Sequence, residues 1–132
     1  MKAKTQGAHH IGLSVPDVKA AANFFVEALG FDLVGEKPDY PAAFVSDGTI
    51  LITLWRVADL ERAKPFDRHI NIGLHHLALH VVSSDDLEKL STELASRDDV
   101  AIEFKPEPLT GSTYRHMMCA IPGNIRLELI AG

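Results

Sequence analysis

Hydrophobic and polar positions alternate in short runs along this chain, and the runs come in the same order twice. Ile11, Leu13 and Val15 alternate with His10, Gly12 and Ser14, the period of a half-buried strand over residues 8–15. Pro16 ends that run and Asp17 offers a cap for a helix over 18–29, whose apolar stripe is Val18, Ala21, Ala22, Phe25, Val26 and Leu29. Gly30 stands where such a helix ends. Three short strands follow at about 31–36, 42–46 and 50–56, the last two joined by the turn SDGT at 46–49.

Residues 57–73, VADLERAKPFDRHINIG, break the periodicity and read as a connector with a short helical turn near Ala58–Ala63. The order then repeats. A strand is predicted at 74–82, a cap at Ser83–Asp86, and a helix at 85–96 with Leu87, Leu90, Leu94 and Ala95 on one face. Strands at 100–104, 113–121 and 125–130 complete the second copy, with a loop KPEPLTGS at 105–112 and a turn PGN at 122–124.

The repetition extends to the letters. HHIGLSV at 9–15 matches HHLALHV at 75–81, and DGTILITL at 47–54 matches PGNIRLEL at 122–129. The fold class expected is therefore α+β: two tandem βαβββ modules, at about 8–56 and 74–131, in one domain spanning 1–132. A helix covers only one face of its sheet, so the modules together form a cup-shaped mixed sheet with the helices outside and an open face for a ligand.

Alternation also names the side chains on the open face. His10 and His76 fall at equivalent repeat positions, as do Thr53 and Glu128. A glutamate flanked by leucines is costly to bury without a partner, and two histidines that converge on it supply one, by hydrogen bonds or through a metal. Arg126 shares the face of Glu128, and across the PGN hairpin Met118 sits opposite Glu128, with His116 and Tyr114 on the same side. His80 faces the same way, whereas His9, His75 and Arg115 point to the other side. His116 and Tyr114, then His80, are the candidate general bases. Phe44, Thr53, Trp55, Met118 and Arg126 are the candidate substrate-pocket residues.

Charge and composition narrow the classes. The net charge is −5 over 132 residues and the basic residues form no cluster, which argues against nucleic acid and anionic membranes as partners. No apolar run is long enough to span a bilayer and no signal region opens the chain, so a cytoplasmic location is expected. Cys119 is the only cysteine; it forms no internal disulfide and reads as a small buried hydrophobe.

HHIGLSVPDVKAAANFFVEALGF, GLHHLALHV and PGNIRLELI together resemble the vicinal oxygen chelate superfamily, which includes glyoxalase I, extradiol dioxygenases, fosfomycin-inactivating thiol transferases and bleomycin-binding resistance proteins. The resemblance covers about residues 8–130. It implies a divalent metal (Fe, Mn, Zn or Ni) held by His10, His76 and Glu128, and a small substrate chelated through neighbouring oxygens in a lyase, dioxygenase or transferase reaction. It also implies a homodimer with shared active sites. Thr53 stands where glyoxalase I carries a fourth ligand, a glutamate, so lactoylglutathione lyase activity is not implied. A metal-free drug-binding protein of the bleomycin-resistance type is the alternative.

Overall fold

A computed structural model describes residues 2–132. The chain divides into two compact units, one ending at Ala63 and the other beginning at Lys64. Each is a βαβββ module.

In the first unit β1 is His10–Val15, β2 Asp32–Lys37, β3 Ala42–Ser46 and β4 Leu51–Arg56. The sheet order is β1-β4-β3-β2, with β1 parallel to β4 and the other pairs antiparallel. The helix α1 (Val18–Asn23) starts at Asp17, whose side chain accepts the Ala20 N–H at 3.0 Å. The stretch predicted as one helix over 18–29 changes character at Phe24, where a wider π-helical turn runs Phe24–Ala28. That turn accompanies the burial of two adjacent phenylalanines, Phe24 and Phe25, whose rings meet edge to face at 5.4 Å. Gly30, at φ +72°, then reverses the chain, and its N–H reaches the Val26 carbonyl at 3.1 Å. α1 lies against β3 and β4, where Val45, Ile52 and Leu54 are fully buried.

In the second unit β5 is Leu77–Val81, β6 Ala101–Pro108, β7 Arg115–Ile121 and β8 Ile125–Ala131, with α2 at Ser84–Ala95. The order β5-β8-β7-β6 repeats that of the first sheet, with β5 parallel to β8. Ser83 caps α2 by accepting the Asp86 N–H at 3.1 Å. Leu87 and Leu94 of α2 are buried, as are Met117, Cys119, Leu127 and Leu129 of the strands it covers. Burial pushes the Cys119 thiol up to about 12.

The segment Ala58–Ala63 holds a single turn at residues 60–62, where the Asp59 carboxylate accepts the Arg62 N–H at 3.3 Å, in the place expected for one. Two sequence expectations need correction, those for the first strand of the second unit and for the loop at 105–112. The second unit's first strand begins at Leu77, so His75 and His76 lie just ahead of it. The loop expected at 105–112 is half strand, because β6 continues through Pro108. β6 is an edge strand with register shifts between Ile102 and Phe104 and between Phe104 and Glu107, and an edge tolerates prolines that have no N–H to pair. Among the described residues no helix is long and apolar enough to cross a membrane.

Candidate functional site

The candidate residues form one group in each unit. In the first unit, Gly12 pairs with Thr53 and Phe44 also pairs with Thr53, so one row crosses β1, β4 and β3 on the face away from α1. A Cβ at Gly12 would stand 3.2 Å from Thr53 Oγ1 and 3.6 Å from Trp55 Nε1. The glycine therefore makes room for these two side chains. The Trp55 indole N–H donates to Thr53 Oγ1 at 2.8 Å. Around that bond the Trp55 ring meets Phe44 at 5.9 Å and Tyr40 at 5.6 Å, and the Lys37 ammonium lies 5.9 Å from its centroid. Phe44, Thr53 and Trp55 thus share a face, Thr53 and Trp55 as alternation predicted; Tyr40 and Lys37 join them from β2 and the turn after it, a neighbourhood that a linear pattern does not reveal. His10 is exposed, with its Nδ1 2.9 Å from Nδ1 of His9.

In the second unit, Glu128 is centred in β8 opposite Met118 of β7 and beside Ala78 of β5. Its carboxylate is 14% exposed and is approached by two histidines. His116 Nδ1 lies 3.2 Å from Glu128 Oε2, and His76 Nε2 lies 4.0 Å from the same oxygen. A carboxylate oxygen only accepts, so the His116 proton that faces Glu128 is on Nδ1, with Nε2 at the other side of the ring. That Nε2 faces Glu107 at 4.0 Å, and Phe104 stands edge-on to the His116 ring at 4.9 Å. Glu107 escapes the sequence reading because that part of β6 looks like a proline-containing loop, and Phe104, in the predicted strand, because register shifts on both sides of it break the alternation.

His80 and His116 both pair with Ile130, so these two candidate bases share a row. Tyr114 precedes β7, is 40% exposed and meets the His80 ring at 6.4 Å. Arg115 points the other way, as predicted, donating to Glu88 of α2 at 2.8 Å.

Arg126 departs from its expected place among substrate contacts. It is buried and forked onto Glu103, with Nε–Oε1 at 3.0 Å and Nη2–Oε2 at 2.9 Å. Its third nitrogen, Nη1, lies 3.1 Å from His75 Nδ1 and 3.2 Å from the His75 carbonyl oxygen. The guanidinium holds the Glu103 carboxyl below its ordinary value, mainly through these hydrogen bonds. Desolvation first, then the positive charge of Arg126, lowers the His75 imidazole. Arg126 also borders a cavity of about 580 Å³ with Arg68, His69 and Asn124, on the side of the connector. A further cavity of about 920 Å³ lies on the helix side of the first unit, lined by Val18, Ala22, Val26, Leu33 and Leu60.

Among the described residues, no three or more His, Cys, Asp or Glu side chains are gathered into a group that could hold a metal ion. In the second unit Glu128 is a carboxylate approached by two imidazoles, His116 and His76.

The profile of the Glyoxalase/Bleomycin resistance protein/Dioxygenase superfamily matches residues 7–129. A 2-epi-5-epi-valiolone epimerase from Actinomyces sp is 26% identical, the alignment covering 92% of this chain and 77% of that one. The glyoxylase/bleomycin resistance protein/dioxygenase domain from Frankia sp. EAN1pec superposes with a TM-score of 0.83 at 25% identity, covering 98% and 99% of the two chains. The lactoylglutathione lyase from Agrobacterium tumefaciens superposes with a TM-score of 0.74 at 17% identity over 98% and 96%, a likeness of fold. The repeated βαβββ topology, the paired histidine phrases and the match along nearly the whole chain agree: this protein belongs to the Glyoxalase/Bleomycin resistance protein/Dioxygenase superfamily.

Proposed function

We propose that this protein is a divalent-metal-dependent enzyme of its superfamily that moves a proton at a carbon beside a substrate oxygen, on a small substrate chelating through two neighbouring oxygens. The observation that carries the reading is the half-buried Glu128 with two imidazoles directed at one of its oxygens. The donor chemistry fits: a carboxylate and neutral imidazoles suit Fe, Mn, Zn or Ni in the divalent state. Glu128 and His76 would hold the ion, and His10 completes the set by its repeat equivalence with His76. The bound ion supplies Lewis acidity to the chelated substrate.

The protein's own groups do the rest. His116, fixed through Nδ1 by Glu128, presents Nε2 as the base, and Glu107 lies 4.0 Å away to stabilise the imidazolium once the proton is taken. Tyr114 and His80 form an outer pair that exchanges protons with solvent. Phe44 and Trp55 in the first unit and Met118 in the second are the apolar side chains of the two open faces. Arg126 is committed to Glu103 and serves the architecture instead of the substrate. The epimerase relative supports proton transfer over dioxygenase or thiol-transferase chemistry, since epimerisation inverts a carbon centre. The reading takes the protein to act in the cytoplasm as a homodimer with shared active sites.

The test has two parts. Gently purified protein should carry about one divalent metal per chain, and Glu128→Ala should lose it. The loaded protein should exchange solvent deuterium into small α-hydroxy ketones, followed by NMR, and His116→Gln should stop the exchange while keeping the metal. Absence of metal after reconstitution with each ion would sink the enzyme. The metal-free binding reading would then stand on the Phe44–Trp55–Tyr40 aromatic group, a wall for an apolar or cationic ligand.

A further inference from the structure

We propose that the open face of the first unit binds a small organic carboxylate, with Lys37 anchoring its charge. Two rows of residues cross this face. One is Gly35–Phe44–Thr53–Gly12, and the other is Lys37–Ala42–Trp55–Ser14. Ala42 carries only a methyl group, so the Lys37 side chain reaches across it, and its ammonium stands 5.9 Å from the centroid of the indole. Lys37 is exposed, and among the described residues it forms no ion pair. Its neighbour Glu36 is in register with Ala43, on the opposite face of the sheet. An ammonium has three donors and no acceptor. The ring attracts the cation and leaves those donors to solvent or to a ligand.

Thr53 supplies a second donor. Its hydroxyl accepts the Trp55 indole N–H at 2.8 Å, and its own proton meets no acceptor among the described residues, although the side chain is buried. That oxygen faces a notch at Gly12, which is exposed in β1. A Cβ there would stand 3.2 Å from Thr53 Oγ1 and 3.6 Å from Trp55 Nε1. The missing methyl therefore leaves room for a ligand oxygen within hydrogen-bond reach of the hydroxyl.

One indole thus joins three features: a hydroxyl donor at its Nε1 edge, an apolar face beside Phe44 and Tyr40, and an ammonium over the ring. A molecule with a flat apolar body, a carboxylate and a second oxygen matches all three. The rings by themselves would favour an apolar or cationic ligand. Lys37 already takes the cation's place on Trp55, and so reverses the sign of the charge that the face selects.

Trp55 is the only tryptophan in the chain, so its fluorescence reports on this face. The probes are mandelate, which carries a phenyl ring, a carboxylate and a neighbouring hydroxyl, and mandelamide, its uncharged counterpart. Added to metal-free protein, mandelate should change the Trp55 emission and bind about 5-fold more tightly than mandelamide, the size expected of an exposed ion pair. The preference should shrink in about 1 M salt. Lys37→Met should abolish it, and Lys37→Arg should keep it. Gly12→Ala fills the notch and should weaken both probes by about 5-fold. Should that variant fail to fold, Thr53→Val replaces it, with Thr53→Ser restoring the native affinity. A Trp55 emission that ignores mandelate, equal affinity for the two probes, or a preference that survives Lys37→Met overturns the proposal. Unchanged binding in Gly12→Ala overturns the part given to Thr53.

This binding test involves neither metal nor turnover. Its extension to the substrate rests on the function proposed above. An α-hydroxy ketone that carries a carboxylate should then exchange deuterium with a lower KM than a neutral one, and Lys37→Met should erase the difference. If the mandelate preference fails while neutral ketones still exchange, the carboxylate reading falls and the enzyme stands. If mandelate binds through Lys37 while no ketone exchanges, the enzyme reading falls and the carboxylate site stands.

Discussion

Replacing Thr53 by glutamate restores, in the first unit, the carboxylate that the second unit keeps at Glu128. Thr53 is 5% exposed, its hydroxyl accepts the Trp55 indole N–H, and Gly12 and Phe44 flank it in the sheet. A glutamate there loses that acceptor geometry, at about 1 kcal/mol. Its two extra heavy-atom shells press on the neighbours at about 1–3 kcal/mol. The metal-free variant should therefore be less stable by about 3 kcal/mol, or about 12 °C in Tm for a chain of this size. The deficit depends on pH with a definite sign. Burial raises the folded pKa of a carboxyl above its unfolded value, so a further charge-burial penalty, absent below about pH 4, adds to these pH-independent terms as pH rises toward the folded value. Thermal unfolding at pH 4 and pH 7.5 reads both numbers. Added divalent ion should then stabilise the variant more than native protein, about 2.7 kcal/mol at a free concentration 100 times Kd. A metal-free variant as stable as native protein at pH 7.5 would refute the burial argument. Equal stabilisation of both proteins by the ion would refute the equivalence of positions 53 and 128 as ligand sites.

Other consequences are independent of the metal. Cys119, with its thiol pushed up to about 12, should resist alkylation at pH 8 in native protein and react fully in urea; stoichiometric native labelling would contradict its burial. The Glu103–Arg126 pair should contribute about 1 kcal/mol after discounting for solvent at a carboxylate that is 36% exposed. Because the folded pKa of Glu103 is depressed, that contribution is complete above about pH 4.5 and disappears as pH falls through the folded value; Glu103→Gln should flatten this acid limb in urea titrations. Phe25→Ala should cost about 3–5 kcal/mol, since the ring is fully buried between Phe24 and Phe31, and a loss under 1 kcal/mol would show that the π-helical turn repacks.

The legibility of this chain follows from which forces are local. The two β1–α and β5–α passages were readable because caps and periodicity act over neighbouring residues: Asp17 and Ser83 cap where expected, and Gly30 ends its helix. Pairing across a short hairpin was also readable, so Met118 was placed opposite Glu128 from the sequence. What failed depends on partners distant in sequence. β6 holds Pro106 and Pro108 because it is an edge, a fact set by sheet order and invisible in the strand itself. The fate of Arg126 depends on Glu103 and His75, which lie 23 and 51 residues away. Charge on a predicted open face was read as substrate binding, whereas the fold uses it internally.

That internal use bears on how the two copies diverged. Each copy keeps the adjacent histidine pair with the same Nδ1 approach, so the pair itself belongs to the repeated unit. The partners do not. Leu51 and Thr53 in the first copy stand where Arg126 and Glu128 stand in the second. The first copy turns Thr53 into an acceptor for Trp55 and gathers Phe44 and Tyr40 around the ring. The second turns Arg126 and Glu128 into anchors for His75, His76 and His116. Two changes, Leu51 against Arg126 and Thr53 against Glu128, therefore separate an aromatic surface from a polar one on equivalent strands. On the function proposed above, changes at Phe44 and Trp55 should alter which substrates bind, measured as KM, whereas His116 should govern kcat.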